Sequence, residues 1–97
     1  MWIGWVELDL RLGDVHSLKT KRSIVRPIVA EVRRRYKISV AETDHVDKHR
    51  RAGIGASVVA TDRAHVVEVL DAVEQLIAYH PEVEVLSARR HVGRADD

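Results

Sequence analysis

The sequence predicts an α+β fold in which one four-stranded antiparallel sheet carries two helices on a single face. Three observations point there. Residues 2–12 alternate apolar and polar side chains, which is the period of a half-buried strand. Two segments, Val25–Tyr36 and Val66–Ile77, repeat their apolar residues at helical spacing. Between them lie two further apolar runs, joined by a turn with no room for a helix.

The elements follow in order. Val6, Leu8, Leu10 and Leu12 form the apolar side of the first strand, opposite Trp5, Glu7, Asp9 and Arg11, and Gly13-Asp14 breaks it. Ser17 suits an N-cap, because its hydroxyl can accept from a free first-turn N–H. Pro27 has no N–H for an i−4 carbonyl, so the reading is a first turn over 18–24 and a regular helix from about Val25 to Tyr36. Lys37–Thr43 reads as a short strand. Ala52–Ala60, small and apolar on both faces, reads as a central one. Thr61 or Asp62 caps the second helix, Pro81 stops it, and Val83, Val85 and Ser87 mark a last strand.

This β-α-β-β-α-β order is the split βαβ arrangement of the ferredoxin-like fold. Two right-handed crossovers give the strand order 4-1-3-2 with both helices on one sheet face. Residues 1–92 are expected to form a single domain and residues 93–97 a frayed tail.

Composition narrows the function classes. The chain has 97 residues, 45% hydrophobic and 32% charged, which is too apolar for disorder and too interrupted by charge for a membrane span. There is no cysteine, hence no disulfide, thiolate metal site or cysteine nucleophile. The N-terminus lacks a signal-peptide pattern, and a cytoplasmic location with no membrane partner is the expectation. Net charge is only +1 but is unevenly spread. Residues 1–61 hold twelve Lys/Arg against seven Asp/Glu, whereas residues 62–97 hold four against eight. One side of the molecule can therefore face an anionic partner.

The predicted topology brings two basic segments together. Strands one and two point the same way, so their C-terminal ends share a sheet edge. That edge receives His16, Ser17, Lys19, Lys21 and Arg22 from one segment. The other supplies Asp44, His45, Asp47, His49, Arg50 and Arg51. The opposite edge receives Arg33–Lys37, Asp62, Arg63, His65 and the Arg89-Arg90 pair.

Several of these residues also carry a likeness. His16-Ser17-Leu18-Lys19 with Lys21-Arg22, Ser39-Val40-Ala41-Glu42 with Asp44-His45 and Asp47, Arg51-Ala52, and Asp62-Arg63-Ala64-His65 closely resemble the YlxP-like family. This family comprises small bacterial proteins of unknown function, and the resemblance covers nearly the whole chain. It implies a ferredoxin-like fold. The family's genes often lie beside those of transcription and translation factors, which implies association with the ribosome or RNA. No catalytic residues are established for the family, so none carries over. The chain departs from the family pattern at Lys48-His49-Arg50, where an aromatic residue and Gln are common.

Each candidate constellation has a plain structural explanation. Asp44, His45, Asp47 and His49 are metal-ligand types, but three flanking cations oppose a metal, and no metal site is expected. Ser17 near His16 or His45 lacks a nucleophile turn or oxyanion hole and is read as a cap. No catalytic residue and no cofactor are assigned. Lys19, Lys21 and Arg22 open a helix, whose free N–H groups favour anions. The exposed sheet face carries too few aromatics to read RNA bases, and Glu7 and Asp9 would repel phosphate.

The expected function is that of a non-enzymatic accessory protein contacting RNA or a ribosomal particle. Lys19, Lys21, Arg22, Arg50 and Arg51 would make the backbone contacts, while His16, Asp44, His45 and Asp47 shape the turn or a ligand site. A small-ligand regulatory module and a homodimeric interaction protein are the alternatives. Ile3 and Trp5 would form the dimer face.

Overall fold

The computed structural model describes residues 1–96. They form β1 (Trp2–Leu12), α1 (Leu18–Tyr36), β2 (Ser39–Asp44), β3 (Arg51–Ala60), α2 (Arg63–Ala78) and β4 (Val83–Arg94). The sheet order is β2-β3-β1-β4, the expected order read from the other edge. β1 pairs antiparallel with both β3 and β4, and β2 pairs antiparallel with β3, so β1 and β2 run parallel. Both helices lie on one face. The core between them and the sheet takes Val6, Leu8, Leu10 and Leu12 from β1 and Ala52, Ile54, Ala56 and Val58 from β3. It takes Val25, Ile28 and Val32 from α1 and Val66, Leu70, Val73 and Ile77 from α2. Each fully buried Leu, Ile or Val side chain contributes about 1.5–3 kcal/mol.

α1 corrects the expectation of two pieces, because it runs unbroken through Pro27. Pro27 is exposed, so its ring faces solvent and only the hydrogen bond to the Ser23 carbonyl is forgone. Ser17 accepts from Thr20 N at 3.1 Å. The helix ends at Lys37, whose φ of 54° is left-handed and whose N–H reaches the Arg33 carbonyl. That cap delays β2 to Ser39. Asp62, rather than Thr61, caps α2 by accepting from His65 N at 2.8 Å.

Gly4 continues the inward row of β1 where α2 crosses closest. A Cβ there would lie 2.3 Å from Val66 Cγ1, so only glycine admits the helix.

β4 is longer than expected, and the tail is corrected with it. Gly93 and Arg94 pair with Ile3 and Trp2, and Ala95 N donates to the Met1 carbonyl. Asp97, the last residue of that expected tail, lies outside the described residues. A register shift explains why alternation failed to reveal the strand. Leu10 faces Val85 but Asp9 faces Ser87, so Leu86 is the extra residue of a bulge. The partners of inward β1 residues are therefore Val83, Val85, Ala88, Arg90 and Val92, not a strict every-second series. Arg90 stays soluble on that side by pairing with Asp71 and Glu74 of α2. The same strand path places Arg89 opposite Glu7 in mid-sheet, not at the far edge.

Candidate nucleic-acid interface

The two expected segments do converge, and Lys21 is the residue that joins them. Helical spacing sets Lys21 in line with Val25, Ile28 and Val32, so its side chain enters the layer between α1 and the sheet. It is fully buried. Glu42 projects into the same layer because it is paired with Ile54 of the inward row, and Lys21 Nζ lies 2.6 Å from its Oε2. The ammonium also donates to the His45 carbonyl at 2.6 Å. This corrects the assignment of Lys21 to a phosphate contact: no surface ligand reaches it. The isolated cost of burying an ammonium is several kcal/mol, so its near-complete burial is tolerable only with these oxygens around it.

Above Lys21, the turn between β2 and β3 begins at His45, whose φ of 57° is left-handed. Asp44 Oδ1 accepts from His45 N at 2.8 Å, and Lys48 N closes the turn onto the His45 carbonyl. The imidazole swings to the open side of the sheet. There Nε2 is 3.4 Å from Asp9 Oδ1 and 3.4 Å from Arg51 Nη2.

Arg51 is accordingly committed to the open face as well. Its Nη2 donates to Asp9 Oδ2 at 2.5 Å, and this bond holds the Asp9 carboxyl below, and the Arg51 guanidinium above, their ordinary pKa values. Glu7, one row along, accepts from Thr43 and Arg89, and those two bonds hold its carboxyl low as well. The two carboxylates expected to repel phosphate are thus already matched by arginines.

The remaining candidates separate. His16 pairs locally with Asp14 and does not approach the turn. Asp47 is exposed and makes no hydrogen bond or ion pair among the described residues. Arg50 donates Nε to the Gly13 carbonyl at 2.8 Å, fastening the turn to the end of β1. Beside it opens a cleft of about 740 Å³, lined among others by Arg11, Thr20, Arg50, Arg51 and Glu84. Arg11 is taken up by Glu84 at 2.9 Å. Lys19 and Arg22 are exposed, as expected. Ile3 is half-buried, and Trp5 is 41% exposed on the face without helices.

Charge also continues along α1 beyond Lys19 and Arg22, to Arg26 and Arg33, which were not among the expected contact residues. Lys19, Arg22, Arg26 and Arg33 fall within about 60° of arc at the helical angle per residue, over about 21 Å of helix. All four are exposed, Arg34 flanks them and Lys37 follows. Arg33 donates to the Val40 carbonyl at 2.8 Å. Lys19, Arg22, Arg26, Arg34 and Lys37 make no ion pair among the described residues. The one acid of α1, Glu31, lies to the side with Arg35. The neighbouring outer face of α2 carries Glu68, Asp71 and Glu74 against Arg63. α1 is thus strongly basic, while α2 carries a small acidic excess in which Asp71 and Glu74 pair with Arg90. No helix among the described residues is long and apolar enough to cross a membrane.

Known proteins share this architecture and part of this sequence. The chain is 29% identical to the uncharacterized protein YlxP of Bacillus subtilis (strain 168) over 82 residues, 84% of this chain and 89% of that protein. Among solved structures it resembles the de novo designed protein LFR1 1 with ferredoxin fold. The TM-score is 0.56 at 18% identity, over 97% of this chain and 87% of that one. It also resembles SnoaB, a cofactor-independent oxygenase from Streptomyces nogalater, with a TM-score of 0.51 at 12% identity over 99% and 94% of the two chains. At such identities these two likenesses are of fold alone. The model of the family described as Protein of unknown function (DUF503) matches residues 3–90, and with that span and the YlxP similarity the chain belongs to this YlxP-like family.

Proposed function

We propose that this protein is a non-enzymatic accessory protein that contacts RNA, within a ribosomal particle, through the outer face of α1 and the adjoining β2–β3 turn. The observation that carries the reading is the row of exposed cations on α1, of which Lys19, Arg22 and Arg26 make no ion pair among the described residues. A helix holds such groups at fixed spacing, and lysine or arginine so placed neutralises backbone phosphates without reading bases. Lys48 and Arg50 extend the charge at the turn. An anionic membrane is a poorer match, because the apolar side of α1 is already spent in the core and has nothing left to insert. The resemblance to a family encoded among translation factors supports a ribosomal setting.

Co-sedimentation with ribosomal subunits and bulk RNA tests it, comparing wild type with Lys19→Glu/Arg22→Glu/Arg26→Glu. These three positions are exposed, so the variant keeps its core. With about four phosphates neutralised on single-stranded RNA, affinity should fall on the order of 50-fold between about 50 and about 200 mM salt. The variant should lose most binding at low salt. Equal sedimentation of the folded variant, or equal binding of wild type to anionic vesicles, rejects the reading.

A second reading has its own observation. The 740 Å³ cleft at the β1–α1 edge has arginines on its walls and could take a small carboxylate or phosphate. All three of those arginines are already engaged by Glu84, Gly13 and Asp9, which places this reading second.

A further inference from the structure

We propose that the open face of the sheet is the interface of a homodimer, in which Trp5 of each copy seats in the groove beside Gly55 of the other. The face is apolar at one end. Ile3 stands directly across from Val59, which is 62% exposed, and Trp5 follows one row along. Next to Trp5 lies a groove of about 430 Å³, bounded by Ala41, Thr43, Gly55 and Ser57. Its shape is built in. Residues 41, 55 and 57 are small, and Thr43 leans over Gly55 so closely that a Cβ there would meet Thr43 Cγ2 at 2.7 Å. A projecting indole and a recess thus adjoin on one surface. A two-fold axis between them turns each into the other's complement, which is what an isologous interface requires.

Charge selects a second copy over other occupants. Glu7 and Asp9 are matched by Arg89 and Arg51, so closing the face strands no carboxylate. The same balance gives RNA no net attraction here. A small ligand in the groove would leave Ile3 and Val59 in water, whereas another sheet covers them. The α1 cations lie on the opposite layer. Stacked sheets sit about 10 Å apart, with each helix layer about another 10 Å beyond its sheet, which holds the two basic rows well outside the roughly 8 Å screening length of physiological salt. Four strands at about 4.8 Å spacing and about ten residues at about 3.3 Å rise offer roughly 600 Å² per copy. Counted on both copies, that reaches the lower end of stable interfaces.

Sedimentation velocity from about 5 to about 500 µM tests the proposal on the full chain without RNA, so its outcome is separate from that of the RNA reading. The expected species has twice the 11.0 kDa chain mass. Trp5→Ala should weaken association by about 30-fold or more, as a central aromatic anchor does. Ala41→Arg fills the groove from an exposed position and should do the same with the core intact. Tyr79→Ala, at a residue 85% exposed beyond the end of α2, should change nothing. Association should hold in high salt, unlike RNA binding. A monomer throughout the range, or a dimer unaffected by both face variants, overturns the proposal. So does dissociation by single-stranded RNA with quenching of Trp5 emission.

Discussion

Lys21 Nζ and Glu42 Oε2 meet at 2.6 Å inside the layer between α1 and the sheet, the lysine fully buried and the glutamate partly so. The pair holds more than two charges. Because the same ammonium binds the His45 carbonyl, it fixes the left-handed residue from which the β2–β3 turn departs. The basic helix and the basic turn are thus one mechanical unit.

Removing one partner should therefore cost far more than removing both. Lys21→Ala leaves Glu42 in the layer without its cation, and about 3–5 kcal/mol of stability should be lost. Lys21→Met with Glu42→Leu replaces the pair by apolar volume and should recover much of that loss. Urea unfolding of Lys21→Met, Glu42→Leu and their double variant closes the cycle and gives the coupling energy. A value near zero would show that the pair is not a stabilising unit.

The open-face carboxylates set an acid limit. Glu7 and Asp9 both have lowered folded-state pKa values, through Thr43 with Arg89 and through Arg51 respectively. Their contribution is complete above the unfolded values, about 4.3 for Glu and about 3.9 for Asp, and is lost as pH falls through the lower folded ones. Glu7→Gln/Asp9→Asn should unfold more easily than wild type at neutral pH. The urea midpoints should converge below about pH 4. A gap that stays constant down to about pH 2.5 would mean these carboxylates do not titrate as the ion pairs require.

Pro27 offers a gain. It occupies an exposed mid-helix position, forgoes one hydrogen bond and covers no core. Proline is about 3 kcal/mol worse than alanine in a helix interior, offset by up to about 1 kcal/mol for the unfolded chain it restricts. Pro27→Ala should then stabilise by about 2 kcal/mol and raise Tm by about 10 °C. An unchanged or lower Tm would show that proline at this position costs α1 nothing.

Periodicity alone determined most of the architecture. The alternation of β1, the stripes of α1 and α2, and the small residues of β3 each state which face is buried, because burial of apolar area is what selects a face. The same logic made Lys21 legible in principle. Its spacing from Val25, Ile28 and Val32 marks a core position, although its charge argues for the surface. No local pattern could reveal its partner. Glu42 lies 21 residues away and becomes an inward residue only through the register of β2 on β3. The pairings of Asp9 with Arg51 and Glu7 with Arg89 are of the same kind, set by which strands are neighbours. The bulge at Leu86 hid the second half of β4 by breaking the alternation that identifies strands. Burial preference is written residue by residue along the chain, while charge pairing depends on distance in space. Only the folded sheet decided which of these cations were spent inside the molecule and which remained free along α1.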